Sequence, residues 1–367
     1  MRATAAVYES LNPDVRVIWE ARSITDFAYA RLDSLVTDYD LILIDHPHVG
    51  EANMPRTLLA LDEWLPASYL DDQARSSVGP SYKSYSWQEH QWALPVDAAA
   101  QVAAYRRDLL AGAGCALPVS WAGVIELARR LPEKLRIALP LLPIDAACSL
   151  LTIGVNLDGP TFWERGRGYN EIVLHQAVRL LAQLAELVDP VSFELNPPQM
   201  LAQMAGSDRI AYAPLLFGYS NYARPGFARH VVSFTDIPSS SAEPRGAVLG
   251  GVGLAVSRLT SNPQTAVDYA AYVASAEVQR GVYFTSGGQP GHDSAWVDPD
   301  VNRESDNFFL GTRRTLEGSY LRPRLAEDRE FVELQPLVGE ILWKGLSSRR
   351  SVETMVSRIL KHSTSLG

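Results

Sequence analysis

Two histidines and an aspartate fall together at Asp45-His46-Pro47-His48, directly after the apolar run Leu41-Ile42-Leu43-Ile44. Imidazoles this close suit metal ligation, proton transfer or hydrogen bonding to a polar ligand. No Cys, His or Glu set with ligand spacing surrounds them, and His90, His175, His230, His292 and His362 are scattered. A polar pair at a strand end, open to a ligand, is therefore favoured over a metal site. Asp45, Asp97 and Glu126 are carboxylates that could pair in space as acid and base, which spacing alone does not decide. Phe217 followed by Tyr219-Ser220-Asn221-Tyr222 puts aromatic faces beside amide and hydroxyl donors. Such a cluster suits a polyhydroxylated ligand, whose C–H faces stack and whose hydroxyls need partners; core tyrosines are the plain alternative.

The run Gly250-Gly251-Val252-Gly253-Leu254-Ala255-Val256 has the first two glycines of a dinucleotide fingerprint, but Val256 stands where the third belongs. Its helix starts only after Asn262, so a bent strand, close to a backbone or a ligand, fits better. No nucleophile elbow, H-E-x-x-H or P-loop occurs.

The elements that must position these residues alternate along the chain. Val15–Glu20, Leu41–Ile44, Trp92–Val96, Ile210–Phe217, His230–Phe234 and Ala247–Val256 read as strands. Ser120 caps an apolar stripe through Trp121, Val124, Ile125, Ala128 and Leu131. Further helices are read over Ile172–Val188, from Asn262-Pro263 through Ala274, and from Ser351. Strands separated by helices predict an α/β protein with mostly parallel sheets.

Composition limits the function. The 367 residues are 47% hydrophobic and 20% charged, the balance of a globular chain of about two domains. With 33 basic and 42 acidic residues the net charge is −9, which argues against nucleic acid or an anionic membrane as partner. Cys115 and Cys148 exclude a disulfide scaffold and leave one bridge open. The longest apolar region, Ile137–Val155, is interrupted by Pro140, Pro143 and Asp145 and does not read as a membrane span.

Three stretches together resemble the sugar-binding type of ABC-transporter extracellular solute-binding protein. One is Ala93-Leu94-Pro95-Val96-Asp97-Ala98 with Ala104-Tyr105-Arg106-Arg107-Asp108-Leu109-Leu110. Another is Leu117-Pro118-Val119-Ser120-Trp121 and the helix it opens. The third runs from Gly250 to Ser257, through Ala266–Ala274 and Ser275-Ala276-Glu277-Val278-Gln279, to Gly288-Gln289-Pro290. Tyr320-Leu321-Arg322-Pro323-Arg324 and the closing helix match the family's C-terminal pattern, so the resemblance covers Asp14 to Leu360.

The resemblance implies a two-lobed periplasmic-binding-protein-like fold, each lobe an open, mostly parallel sheet with flanking helices, and a ligand cleft between them. Lobe 1 would hold residues 1–97 and about 254–318, lobe 2 residues 98–253 and about 319–367. The implied ligand-binding residues are Asp45, His46, His48, Asp97, Tyr219, Asn221, Tyr222, Gly250, Gly251 and Gln289. The expected function is binding of a small polar solute, a carbohydrate or polyol, by a periplasmic monomer that delivers it to an ABC-type permease. No catalytic residue, metal or cofactor is expected. The alternatives are a cytoplasmic α/β enzyme using the Asp and His residues, or a periplasmic sensor subunit.

One expectation concerns the start of the chain. A parallel lobe opens with strand, helix, strand, because the helix carries the chain back. Here the first periodic segment is already the helix, with Ala3, Ala6, Val7 and Leu11 on one side and Asn12-Pro13 ending it. Met1 to Glu9 also lacks the apolar core of a secretion signal. The expectation is a true start upstream, with a first strand and a signal ahead of Met1. A gap or a substitute segment should then lie beside Val15–Glu20.

Overall fold

Several helices begin where a side-chain oxygen meets a free backbone amide. Ser120 accepts from the Gly123 amide at 3.1 Å, Asn170 from Val173 at 3.4 Å, Asn196 from Gln199 at 3.0 Å and Asp328 from Phe331 at 3.0 Å. In the computed structural model, residues 1–22, 32–51, 54–241 and 243–363 are described. The main elements begin with α1 (Arg2–Leu11), β1 (Leu41–Ile44), β2 (Leu94–Tyr105), α2 (Trp121–Arg130) and β3 (Arg136–Ile137). Then come α3 (Pro143–Asp158), α4 (Glu171–Ala185), α5 (Pro197–Gly206), β4 (Ile210–Phe217), β5 (Ser233–Thr235) and β6 (Leu249–Val256). The chain closes with α6 (Pro263–Ala274), α7 (Phe308–Glu317), α8 (Arg329–Ser347) and α9 (Val352–Ser363).

Two compact units share the chain. Unit 1 is Met1–Ala99, Gly250–Val301 and Pro323–Glu327; unit 2 is Ala100–Leu249, Asn302–Arg322 and Asp328–Gly367. The boundaries fall two to four residues from the expected crossings at 97 and 253. Residues 302–318, expected with lobe 1, lie in unit 2. The reason is packing: Phe308 of α7 meets Phe234 edge-on at 4.9 Å, and the Thr315 amide donates to Asp236 at 2.9 Å.

In unit 1, β1 pairs antiparallel with β6, from Leu41 opposite Val256 to Ile44 opposite Gly253. Alternate residues face opposite sides. Leu41 and Leu43 pack on a core built with Val267, Tyr269, Ala270 and Val273 of α6, while Ile42 and Ile44 pack with Leu32, Val36 and Tyr85. In unit 2, β2 pairs antiparallel with β4 and with β5, and β3 runs parallel to β4. The α/β class stands, but the sheets are mixed: β3 runs parallel to β4, whereas β1 with β6 and β2 with β4 and β5 are antiparallel. Helix α3 is buried nearly all round, and Gly339 lets α8 press against the Pro143 carbonyl at its start.

Val15–Glu20 is extended but is not a strand of any sheet. Its burial alternates as the pattern predicts: Val15, Val17 and Trp19 turn inward, while Ile18 is 82% exposed. The Val17 amide is taken by Glu9 at 2.8 Å and the Trp19 indole donates to Tyr269 at 3.1 Å, so side chains, not a ladder, hold the segment. The strand read at His230 starts only at Ser233. Cys115 and Cys148 are both free.

Candidate functional site

Asp97, Gly251 and Gln289 come from three distant points in the sequence and meet in unit 1. Asp97 lies in β2 and bridges to Pro290 in antiparallel fashion. The Ala98 amide donates to the Gln289 carbonyl at 3.3 Å, and the Gln289 side chain donates to the Ala98 carbonyl at 2.9 Å. Gln289 thus serves as a clamp on β2 through both its backbone and its amide. Gly251 has φ +126°, and a Cβ there would stand 2.5 Å from the Asp97 carbonyl oxygen. The space above Gly251 is filled by Asp97, which accounts for the glycine without a ligand; Gly250 beside it is partly exposed.

Burial pushes the Asp97 carboxyl up to about 7, against the pull of a bond from the Gln289 backbone amide. Two tyrosines respond to this carboxylate. Burial drives the Tyr85 hydroxyl well above its ordinary range, with Asp45 and then Asp97 adding to it. Tyr283 is raised by burial and then by Asp97. Both phenols therefore stay protonated, as donors, near a carboxylate acceptor. Sequence reasoning missed both tyrosines. Nothing in the sequence links them to the site: only in the fold does the Tyr85 ring pack on Gly253, where a Cβ would stand 2.5 Å away, and Tyr283 on Gly288.

The two histidines of the loop are engaged differently from each other. His46 is 1% exposed, with Nδ1 3.2 Å from Asp45 Oδ1, and its amide donates to the same carboxylate at 2.8 Å. Its side chain is part of the packed interior. His48 Nδ1 lies 2.8 Å from Glu51. Among the described residues no group of three His, Cys, Asp or Glu is placed to hold a metal ion.

Near this loop is a group the sequence reading did not connect. Arg324 donates to the Ser86 carbonyl at 2.6 Å and to Glu327 at 2.8 Å, and its guanidinium lies 4.9 Å from the centre of the Trp87 ring. Burial works to raise the Glu327 carboxyl, but its bonds to Arg324 outweigh that and hold it low. Trp87 precedes a two-residue hairpin turn in which Gln88 and Glu89 both have positive φ, 50° and 66°. Asn-Gly is the usual occupant, and non-glycine residues there cost roughly 1–3 kcal/mol each.

Tyr219, Asn221 and Tyr222 stand together in unit 2 at the end of β4. Tyr219 is 39% exposed and caps the short helical turn Ser220–Ala223. Tyr222 is tied down: its hydroxyl donates to the Pro198 carbonyl at 3.2 Å and its ring meets Phe227 edge-on at 5.1 Å. Asn221 is half-buried beside it.

The family model described as "Bacterial extracellular solute-binding protein" matches residues 1–280. Solved structures share the fold at low identity. Maltose-bound MalE3 of T. maritima is 16% identical with a TM-score of 0.81, covering 100% of this chain and 95% of its own. A solute-binding protein of Agrobacterium radiobacter K84, in complex with ribitol, is 19% identical with a TM-score of 0.77 over 100% and 96%. One from Agrobacterium vitis S4, with bound D-mannitol, is 16% identical with a TM-score of 0.78 over 100% and 94%.

Proposed function

This chain belongs to the bacterial extracellular solute-binding protein family, and from that premise we propose that it binds a neutral carbohydrate or polyol. It is a binder, not an enzyme, and its partners are the small solute and the ABC-type permease that receives it. We read it as a periplasmic monomer; among the described residues no helix is long and apolar enough to cross a membrane.

The observation that carries the reading is the Asp97 centre, where Gln289 clamps β2 and Gly251 packs on the Asp97 carbonyl, with the Tyr85 and Tyr283 hydroxyls held protonated by burial and by Asp97. Each hydroxyl of a polyol both donates and accepts, so a mixed set of acceptor and donors suits it better than a set of one kind. In unit 1 Trp87 offers an aromatic face for the C–H side of a ring, and in unit 2 the exposed Tyr219 offers another. Maltose, ribitol and D-mannitol in proteins of like fold support the solute class. We assign Asp97, Asp45, Gln289 and Tyr219 the leading roles among the candidates, with His46, Gly251 and Tyr222 shaping the surroundings.

A thermal-shift screen of mono- and disaccharides and linear polyols tests this. One solute should stabilise the protein by RT ln(1 + [L]/Kd), or ~2.7 kcal/mol at a hundredfold excess, and be recovered unchanged. Turnover of that solute, or a response only to charged or apolar compounds, overturns the proposal.

A further inference from the structure

Residues 288–291 lie along β2 in unit 1, and each of them is fastened. The Gly288 amide donates to the Tyr283 carbonyl at 2.9 Å, and a Cβ at Gly288 would stand 2.4 Å from the Tyr283 ring. The Gln289 carbonyl takes the Ala98 amide, and its own amide donates to the Asp97 carboxylate. The Pro290 carbonyl accepts from the Trp296 indole at 2.8 Å. The Gly291 carbonyl accepts from the Val78 amide at 3.1 Å, and its amide donates to the Gln279 side chain at 2.8 Å. A Cβ at Gly291 would stand 2.9 Å from the Pro95 carbonyl oxygen, so the segment lies hard against β2. The pairing itself is a single bridge, Asp97 to Pro290, too short to hold its register unaided.

Gln279 is fully buried, and its side chain is oriented from both ends. Its Nε2 donates to the Val273 carbonyl at 2.9 Å, one of those that the end of α6 leaves without a helical partner. An amide offers one oxygen and one NH2 group, so Val273 fixes the nitrogen and thereby aims the oxygen at the Gly291 amide. The neighbouring carbonyls are held likewise: Tyr69 donates to Ala271 at 2.9 Å and Gln73 to Ala274 at 3.3 Å. The end of α6 is thus a fixed frame, and Gln279 transmits its position to Gly291. We propose that Gln279 is a positioning residue for the Asp97 carboxylate: through Gly291, and with Trp296 at Pro290, it keeps the Gln289 amide on that group. Its bearing on solute binding rests on the assignment of Asp97 to the solute. Without the fastening at Gly291 the Gln289 amide drifts from Asp97, and losing a bond to the ionised form favours the protonated carboxyl. Tyr85 and Tyr283, which also lie near this carboxylate, stay in place.

The test follows the Asp97 carboxyl carbon by NMR titration in the parent and in Gln279→Met, which keeps the length of the side chain and removes both bonds. The acid dissociation constant of Asp97 should fall roughly two- to ten-fold in the variant, the worth of one hydrogen bond to the ionised form. Trp296→Phe, which removes the bond to Pro290, should lower it too. In the parent the Gln289 amide proton should titrate with the Asp97 midpoint, a readout that needs no variant. An unchanged constant in a folded variant, or a Gln289 amide that ignores the Asp97 titration, overturns the proposal even if melting temperatures fall. Calorimetry with maltose and with D-mannitol separates the two readings. A lowered constant with weaker binding supports both, whereas a lowered constant with unchanged binding keeps Gln279 as the positioner and overturns the assignment of Asp97 to the solute.

Discussion

Gly251 lies against Asp97 so closely that the Cβ of an alanine would stand 2.5 Å from the Asp97 carbonyl oxygen, at a φ of +126° that L side chains rarely adopt. Contact and conformation oppose the same substitution, and neither can relax without moving β2, which carries the carboxylate. Gly251→Ala should lower stability by roughly 1–3 kcal/mol and weaken solute binding as Asp97 shifts. Urea melts and titration calorimetry of the variant check this. Parent-like stability would mean that β2 and β6 stand further apart than described.

Asp97 also sets a pH dependence. Burial raises its carboxyl from 3.8 to about 7. Between those values the folded chain holds a proton that the unfolded chain has released. Stability from this group therefore falls as pH rises through the window and levels off above it. Solute binding should run the other way, because the ionised carboxylate is the stronger acceptor for a hydroxyl. Asp97→Asn should flatten both trends. Asp145, which burial also raises to about 7, remains as a smaller slope in stability alone. Melts and calorimetry at pH 5, 6, 7 and 8 separate the two effects, and equal slopes in the parent and Asp97→Asn would remove Asp97 from the titration.

How far the chain could be read depended on whether a residue's environment is local. The Ser120 cap and the Ile210–Phe217 strand carry their own signals and stand as read, and Leu41–Ile44 is a strand as read but pairs antiparallel with β6 where a parallel strand was expected. The stretch Ala98-Ala99-Ala100 favours a helix by propensity, yet it is the middle of β2, where Ala98 and Ala100 are buried and small side chains are required. Helix α3 is buried almost all round, so no 3.6-residue stripe marks it. Pro336 interrupts α8, whose apolar stripe Phe331, Leu334, Val338, Ile341 and Leu342 is otherwise regular.

The candidate site follows the same rule. Asp97 was read as following a strand that ends at Val96, but it lies inside β2, which runs on to Tyr105, and its nearness to Tyr85 and Tyr283 depends on residues far apart in the sequence. Likewise His46 and His48 look equivalent in the sequence, and only packing buries the first against Asp45 and pairs the second with Glu51.

Tyr219 and Tyr222 should separate binding from stability. Tyr219 is 39% exposed, whereas the Tyr222 hydroxyl is held by the Pro198 carbonyl at 3.2 Å. Tyr219→Ala should weaken solute binding by ~0.5–1.5 kcal/mol with little change in melting temperature. Tyr222→Phe should cost ~0.5–1.5 kcal/mol of stability and leave affinity nearly unchanged. Calorimetry and denaturant melts on both variants decide it; reversed effects would make Tyr222 the contact and Tyr219 the support.

Arg106 anchors unit 2 through a side chain that is fully buried. It donates to Asp108 at 2.8 and 2.7 Å, to Asp208 at 2.9 Å, and to the carbonyls of Met204 and Ser207 at 2.8 Å each. Every direction of the guanidinium fork is used, and the donors close the end of α5 onto β2. Arg106→Gln removes the charge and most of the fork; the carboxylates left behind are solvent-exposed, so the cost is that of the unmet Met204 and Ser207 carbonyls, about 1–3 kcal/mol in urea denaturation. Arg106→Lys should recover only part of this, since an ammonium cannot serve four acceptors in a plane. The carboxyls of Asp108 and Asp208 are both held below their ordinary value by their bonds to Arg106. Their contribution is present above the unfolded carboxylate pKa and is lost as pH falls through the lowered folded values. The parent should therefore lose stability on acidification through that range, and Arg106→Gln should show a shallower loss there. Equal acid sensitivity in the two proteins would show that the Arg106 network does not govern the acid limb.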